Sequence, residues 1–211
     1  MSALQEKSRL FTYTRVPTMV ERYNADMVAV TKQMFPYYPD LEQIKEFYCA
    51  LGMAISTWQH VEAALFLTFD RAVVPGLQGA AASAFHALQH TQSKLNATDA
   101  AVQFALLQEA DHARREVLLR EWQVIRRKVN NRLERRNHLA HFEVVTYYEE
   151  PRAEDKIRLI PMAFDFRYAA GIKKPIEYRI SNINNIAGSF QRVSQRLLKF
   201  LKKIPQRNPP G

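Results

Sequence analysis

An arginine and a histidine five positions apart form a pair that could act on a phosphodiester. They belong to the segment Arg136-Asn137-His138-Leu139-Ala140-His141. Histidine exchanges protons near neutral pH, so His141 is a candidate general base for a ribose 2′-hydroxyl. The forked donors of a guanidinium match phosphate oxygens, so Arg136 is a candidate for stabilising the charge that develops on phosphate. Asn137 is a candidate for orienting either residue or the RNA backbone.

Helical geometry restricts what this pair can do within one chain. Five residues of a regular helix turn through about 500°, which sets the two side chains about 140° apart and about 7.5 Å apart along the axis. One regular helix therefore does not direct both side chains at one phosphate. Two alternatives remain: either the helix frays before His141, or a second subunit completes the site.

The segment resembles the Rx4–6H motif of the HEPN superfamily, in its common variant Arg-Asn-x-x-Ala-His. The resemblance extends over roughly residues 41 to 204, because Trp58-Gln59-His60-Val61-Glu62 is similar to the early helix of HEPN bundles. It implies a metal-independent endoribonuclease, without a cofactor, that dimerises so that two motifs face each other. It further implies a toxin or defence factor, with an antitoxin protein as a candidate partner. The alternative is a non-catalytic HEPN-like module that binds RNA or a protein.

Residues near the motif, and one distant carboxylate, are candidates for supporting the pair. Asn137 and His138 belong to the motif segment itself, and Arg135 directly precedes it. Glu62 interrupts an otherwise apolar helix face, and a carboxylate in such a place needs a partner. Glu62 could pair with a motif arginine and hold it in position, or with another basic residue inside the bundle.

Two pairs of histidines have spacings that can share a helix face, namely His86 with His90 and His138 with His141. Neither pair has a cysteine or an acidic residue at a recognisable ligand spacing. We therefore expect no metal site.

Positive charge is concentrated in two segments of the chain. The formal net charge is +9 and the sequence pI is about 9.7, a balance that favours polyanionic partners such as RNA. Nine Lys or Arg residues and three Glu lie between residues 113 and 136, and six basic residues without an acid lie between 191 and 207. Solvated helix faces are the alternative interpretation. The candidate RNA-binding residues are Arg126, Arg127, Lys128 and Arg132.

Apolar periodicity predicts an all-α fold, a HEPN-like helical bundle with a small β-hairpin inserted before the C-terminal helix. The clearest stripe places Ile44, Tyr48, Leu51, Ile55, Trp58, Leu65 and Phe69 on one helix face, with Glu62 among them. Helices are predicted at residues 17–35, 41–72, 80–95, 99–111, 113–140 and 183–204, with a turn at 96–99. The hairpin strands are predicted within 142–148 and 156–168.

The same patterns predict how the chain divides and where it resides. We expect a loose N-terminal arm over residues 1–16, a single helical domain over 17–204 and a flexible tail over 205–211. One cysteine excludes a disulfide framework, and the first residues contain no apolar signal segment. No apolar run approaches the roughly 18 residues of a membrane span. We therefore expect a cytoplasmic protein that does not enter a membrane.

Overall fold

Five helices and one hairpin make up the part of the chain that the computed structural model describes, namely residues 41–73, 78–147, 152, 156–162, 171–172 and 176–205. The elements are α1 (Leu41–Ala72), α2 (Gln78–Ala87), α3 (Thr91–Leu107), α4 (His112–His141), β1 (Glu143–Thr146), β2 (Ile157–Ile160) and α5 (Ile180–Leu201). The all-α bundle with a hairpin before the last helix is thus confirmed. The predicted helix 17–35 and arm 1–16 lie outside the described residues, as does the tail beyond residue 205.

Helices α1 and α5 form the most extensive pairing of the bundle. Trp58 on α1 packs edge-to-face on Phe190 of α5, with ring centroids 4.9 Å apart. Trp122 on α4 stacks on Phe200 of α5 at 5.4 Å, so α5 joins the two long helices through aromatic contacts. None of the described helices has the length and apolar character needed to cross a bilayer.

The buried face of α1 is rotated from the predicted stripe by about one residue. Tyr48 is 54% exposed and Ile55 39% exposed, although both were predicted to face inward. Phe47, Ala50 and Ala54 are buried instead. Alanine carries little hydrophobic signal, so a pattern based on the large apolar side chains misplaces the buried face.

The predicted helix 80–95 and turn 96–99 are wrong. The chain breaks earlier, at residues 88–90, and α3 continues from Thr91 to Leu107 without a turn. Thr98 is buried inside α3, where its hydroxyl donates to the Lys94 carbonyl at 2.8 Å. Asp99 accepts a hydrogen bond from the indole of Trp122 at 2.8 Å. Residues that favour caps and turns are therefore accommodated in a helix because these contacts satisfy their polar atoms.

Helix α4 is a single element of 30 residues. Asp111 caps its start by accepting the Arg114 backbone N–H at 3.2 Å. Phe142 is extended and ends the helix, and the β-branched run that follows favours a strand. Strand β1 pairs antiparallel with β2, from Glu143 opposite Ile160 to Thr146 opposite Ile157.

The hairpin brings a distant segment to the end of α4. Leu159 of β2 exchanges two backbone hydrogen bonds of 2.9 Å with Tyr178, just before α5 begins. This pairing sets the Tyr178 side chain against the last turn of α4.

Candidate functional site

The motif helix stays regular to its last residue. The backbone N–H of Phe142 donates to the His138 carbonyl at 2.9 Å, so the helical bonding pattern continues past the motif. The alternative in which the helix frays before His141 therefore does not hold. On a regular helix the side chains of Arg136 and His141 diverge by about 140°, and one chain does not bring them together.

The two candidate catalytic side chains are both accessible. His141 is exposed, and within the described part of the chain its ring makes no hydrogen bond or ion pair. Arg136 is partly exposed, and its Nη1 donates to Asn137 Oδ1 at 3.3 Å. Asn137 thus contacts Arg136, one of the groups that it was expected to orient.

His138 is buried, unlike His141 three residues later. It is 7% exposed, and its Nδ1 lies 2.7 Å from the hydroxyl of Tyr178. Its ring stacks on Phe142 with centroids 4.4 Å apart. These contacts tie the last turn of α4 to the segment paired with β2, so His138 holds the end of the motif helix in place.

Replacing Tyr178 with phenylalanine is expected to lower the free energy of unfolding by about 1 kcal/mol, because it removes the hydrogen bond to His138. Urea denaturation measures the change. Tyr48→Phe is the matched control, since Tyr48 is 54% exposed and its variant should match the wild type. Equal stabilities for the two variants would contradict the stabilising role of this bond.

Glu62 pairs inside the bundle rather than with the motif. Its carboxylate accepts hydrogen bonds from Trp58 Nε1 at 3.0 Å, Thr91 Oγ1 at 2.7 Å and Lys94 Nζ at 3.1 Å. Burial acts to raise the pKa of Glu62, but these hydrogen bonds outweigh it and lower the pKa. Of the two expected partners, another basic residue is the one observed, and Glu62 joins α1 to α3.

The four candidate RNA-binding residues do not form one surface. Successive helix residues are rotated by about 100°, so Arg126, Arg127 and Lys128 point in different directions. Arg126 turns towards α3, where its Nη1 lies 3.3 Å from Asp99 Oδ2. Arg132 turns towards α5, where its Nε donates to the Ser189 carbonyl at 3.3 Å.

A basic cluster lies instead between α4 and α5. Its members are Lys128, Arg132, Arg135, Arg192 and Arg196. Partial burial, with Arg135, Arg192 and Arg196 close by, lowers the pKa of Arg132. Desolvation and the neighbouring Arg196 and Arg132 also lower the pKa of Lys128. Within the described residues no carboxylate pairs with any member, so the cluster carries uncompensated positive charge.

Sequence reasoning did not single out Arg192 and Arg196, although it noted the basic segment that contains them. Their spacing of four on an amphipathic helix was an available signal, because it places both on one face. Lys203, in the same segment, is neutralised by Glu121, whose carboxylate oxygens lie 2.7 and 2.8 Å from its Nζ.

The pair of His86 and His90 differs from its predicted geometry. His86 lies in the last turn of α2 and packs on Phe66 and Phe85, whereas His90 precedes α3, so the two do not share a helix. Among the described residues, no three His, Cys, Asp or Glu side chains converge in a metal-binding arrangement.

Comparison of the chain with protein-family models, with curated proteins and with solved structures gives no match. The resemblance to HEPN proteins thus stays a prediction that rests on the motif and its place at the end of α4.

Proposed function

We propose that this protein is a HEPN-type, metal-independent endoribonuclease that holds single-stranded RNA on the basic cluster and cleaves it with Arg136 and His141. The observation that carries the proposal is the uncompensated basic cluster directly beside the motif. Arg136 follows Arg132 of the cluster by four residues on α4, which places both on one helix face, so a phosphate backbone bound on the cluster passes Arg136. Closely spaced cations repel one another, and a chain of phosphates relieves that repulsion.

Arg132 gives the cluster a fixed centre. Its guanidinium donates to the carbonyls of Lys128 at 2.9 Å and Ser189 at 3.3 Å, which hold the group between α4 and α5. A guanidinium fixed in this way loses little side-chain freedom on binding a phosphate. Arg135, Arg192 and Arg196 are then available around it for further phosphates.

The chemistry follows from the side-chain types at the motif. The neutral imidazole of His141 takes the proton of a ribose 2′-hydroxyl. The 2′-oxygen bonds to the adjacent phosphorus, and the bond from phosphorus to the 5′-oxygen of the next nucleotide breaks. Arg136 donates to the phosphoryl oxygens as charge builds on them. Water returns a proton to the leaving 5′-oxygen, which yields a 2′,3′-cyclic phosphate and a 5′-hydroxyl.

The site requires two copies of the chain. Because α4 is regular, we propose a homodimer in which Arg136 of one copy meets His141 of the other. A toxin or defence role, an antitoxin partner and a cytoplasmic location belong to the same proposal.

The second candidate is a binding module that has no catalytic activity. The divergence of Arg136 from His141 within one chain favours it, because a monomer would hold RNA without completing the site. Both candidates bind RNA, but only the first cuts it. Incubating purified protein with mixed RNA, under conditions in which the RNA is saturated with protein, therefore separates them.

Removing one cation of the cluster should change the salt dependence of RNA binding. We expect Arg196→Gln to reduce the slope of log affinity against log salt by about 0.7, the value for one lost phosphate contact on a single strand. Fluorescence anisotropy at several salt concentrations measures the slope. Lys45→Gln is the control. Lys45 is exposed, pairs with Glu42, and lies on α1, far along the sequence from the basic cluster. The same slope for both variants would show that the cluster does not contact phosphate.

A further inference from the structure

A polar cleft lies between α3 and α4, apart from the basic cluster. It is partly open to solvent and has a volume of about 390 Å³, which is within the range of small-ligand sites. Its lining residues are Asp99, Gln103, Gln123, Arg126, Arg127 and Asn130. All six lining residues have polar side chains, and the cleavage chemistry proposed above uses none of them.

The wall of the cleft contains a carboxylate held in one orientation. Asp99 is only 9% exposed, and its Oδ1 accepts the indole N–H of Trp122 at 2.8 Å. Its Oδ2 lies 3.3 Å from Arg126 Nη1. A carboxylate has about four lone-pair positions, so these two contacts leave acceptor capacity on a side chain that lines the cleft.

Three amides complete the cleft, on Gln103, Gln123 and Asn130. Within the described part of the chain none of them has a hydrogen-bond partner. Each amide offers both a donor and an acceptor. The cleft therefore combines a fixed acceptor with adjustable donors, and exposed Arg127 adds a cation at its margin.

We propose that this cleft binds a guanine nucleotide of the RNA, an inference that rests on the proposed function. The N1–H and N2–H groups of guanine are adjacent donors that suit Asp99, and its O6 accepts from the amides. Adenine and cytosine each place a ring-nitrogen acceptor beside a single amino donor, and uracil has one N3–H between two carbonyl oxygens, so none of the three offers two adjacent donors to the carboxylate. Recognition through this edge needs an unpaired base, as in single-stranded RNA.

The position of the cleft relates it to the proposed chemistry. Asn130 and His141 lie within about 20° of each other around α4 and about 16 Å apart along it. A strand whose guanine occupies the cleft would run along this exposed face towards His141. The cleft would thereby select which phosphodiester reaches the histidine.

The two tryptophans allow a direct test. Trp122 donates to Asp99 in the cleft, whereas Trp58 donates to Glu62 elsewhere and serves as an internal reference. Proton–nitrogen correlation spectra, with the indole signals assigned through Trp58→Phe, would follow titration with the 5′-monophosphates of guanosine, adenosine, cytidine and uridine. We expect guanosine monophosphate to shift the Trp122 indole signal saturably and to leave that of Trp58 in place.

Gln123→Ala should weaken the binding of guanosine monophosphate about three- to tenfold, as expected for one lost hydrogen bond. Gln59→Ala is the control, because Gln59 is exposed elsewhere on the surface and its loss should leave the affinity unchanged. The inference is overturned if no nucleotide shifts Trp122, if all four shift it equally, if both indoles move together, or if Gln123→Ala has no effect. These outcomes are independent of RNA cleavage and of its salt dependence, so the proposed function can fail or survive separately.

Discussion

Replacing His141 with alanine is expected to slow RNA cleavage by about 10²–10⁴-fold, the usual contribution of a general base. The protein should fold as before, because His141 is exposed and makes no hydrogen bond or ion pair within the described residues. The rate of cleavage of a labelled RNA measures the effect, with a thermal melt to verify folding.

His112→Ala is the matched control, because His112 is an exposed histidine at the opposite end of the same helix. It should cleave at the wild-type rate. If His141→Ala cleaves as fast as His112→Ala, His141 is not the base.

Mixing two inactive variants is expected to restore cleavage. Arg136→Ala should also be slow, because it lacks the charge stabilisation at phosphate. In a heterodimer of Arg136→Ala with His141→Ala, one of the two shared sites has an intact Arg136 from one copy and an intact His141 from the other. In a two-fold symmetric dimer, random mixing of equal amounts makes half of the dimers heterodimers, and each of these has one active site of two. The mixture should therefore recover about a quarter of the wild-type activity.

The recovery depends on the site being shared between copies. If each chain held a complete site, every chain in the mixture would lack one catalytic residue and the mixture would stay inactive. Sedimentation of the wild type at tens of micromolar gives an independent check, and a monomer under those conditions would contradict the shared site.

The long helices were predictable because their patterns extend over many turns. The bounds of α1 match the prediction, and α4 differs from it by one residue at each end. The third helix was not predictable, because Thr98 and Asp99 are turn formers whose polar atoms are satisfied by Lys94 and by the distant Trp122. A local pattern contains no information about such tertiary partners.

The candidate site shows the same limit. The sequence identified the motif, but it could not determine which of its two histidines is buried. Tyr178, which contacts His138, is 40 residues away along the chain and reaches it through the pairing with Leu159. Likewise, the basic cluster combines residues of α4 and α5 that only the packed bundle brings together.

The most direct test of the proposed ribonuclease is the identity of the products that wild-type protein releases from RNA in the presence of EDTA. We predict cleavage that persists in EDTA and leaves 2′,3′-cyclic phosphate and 5′-hydroxyl ends, detected by mass spectrometry and absent with His141→Ala. RNA that is bound but left intact would contradict the account. Cleavage that stops in EDTA, or that leaves 3′-hydroxyl ends, would contradict it equally.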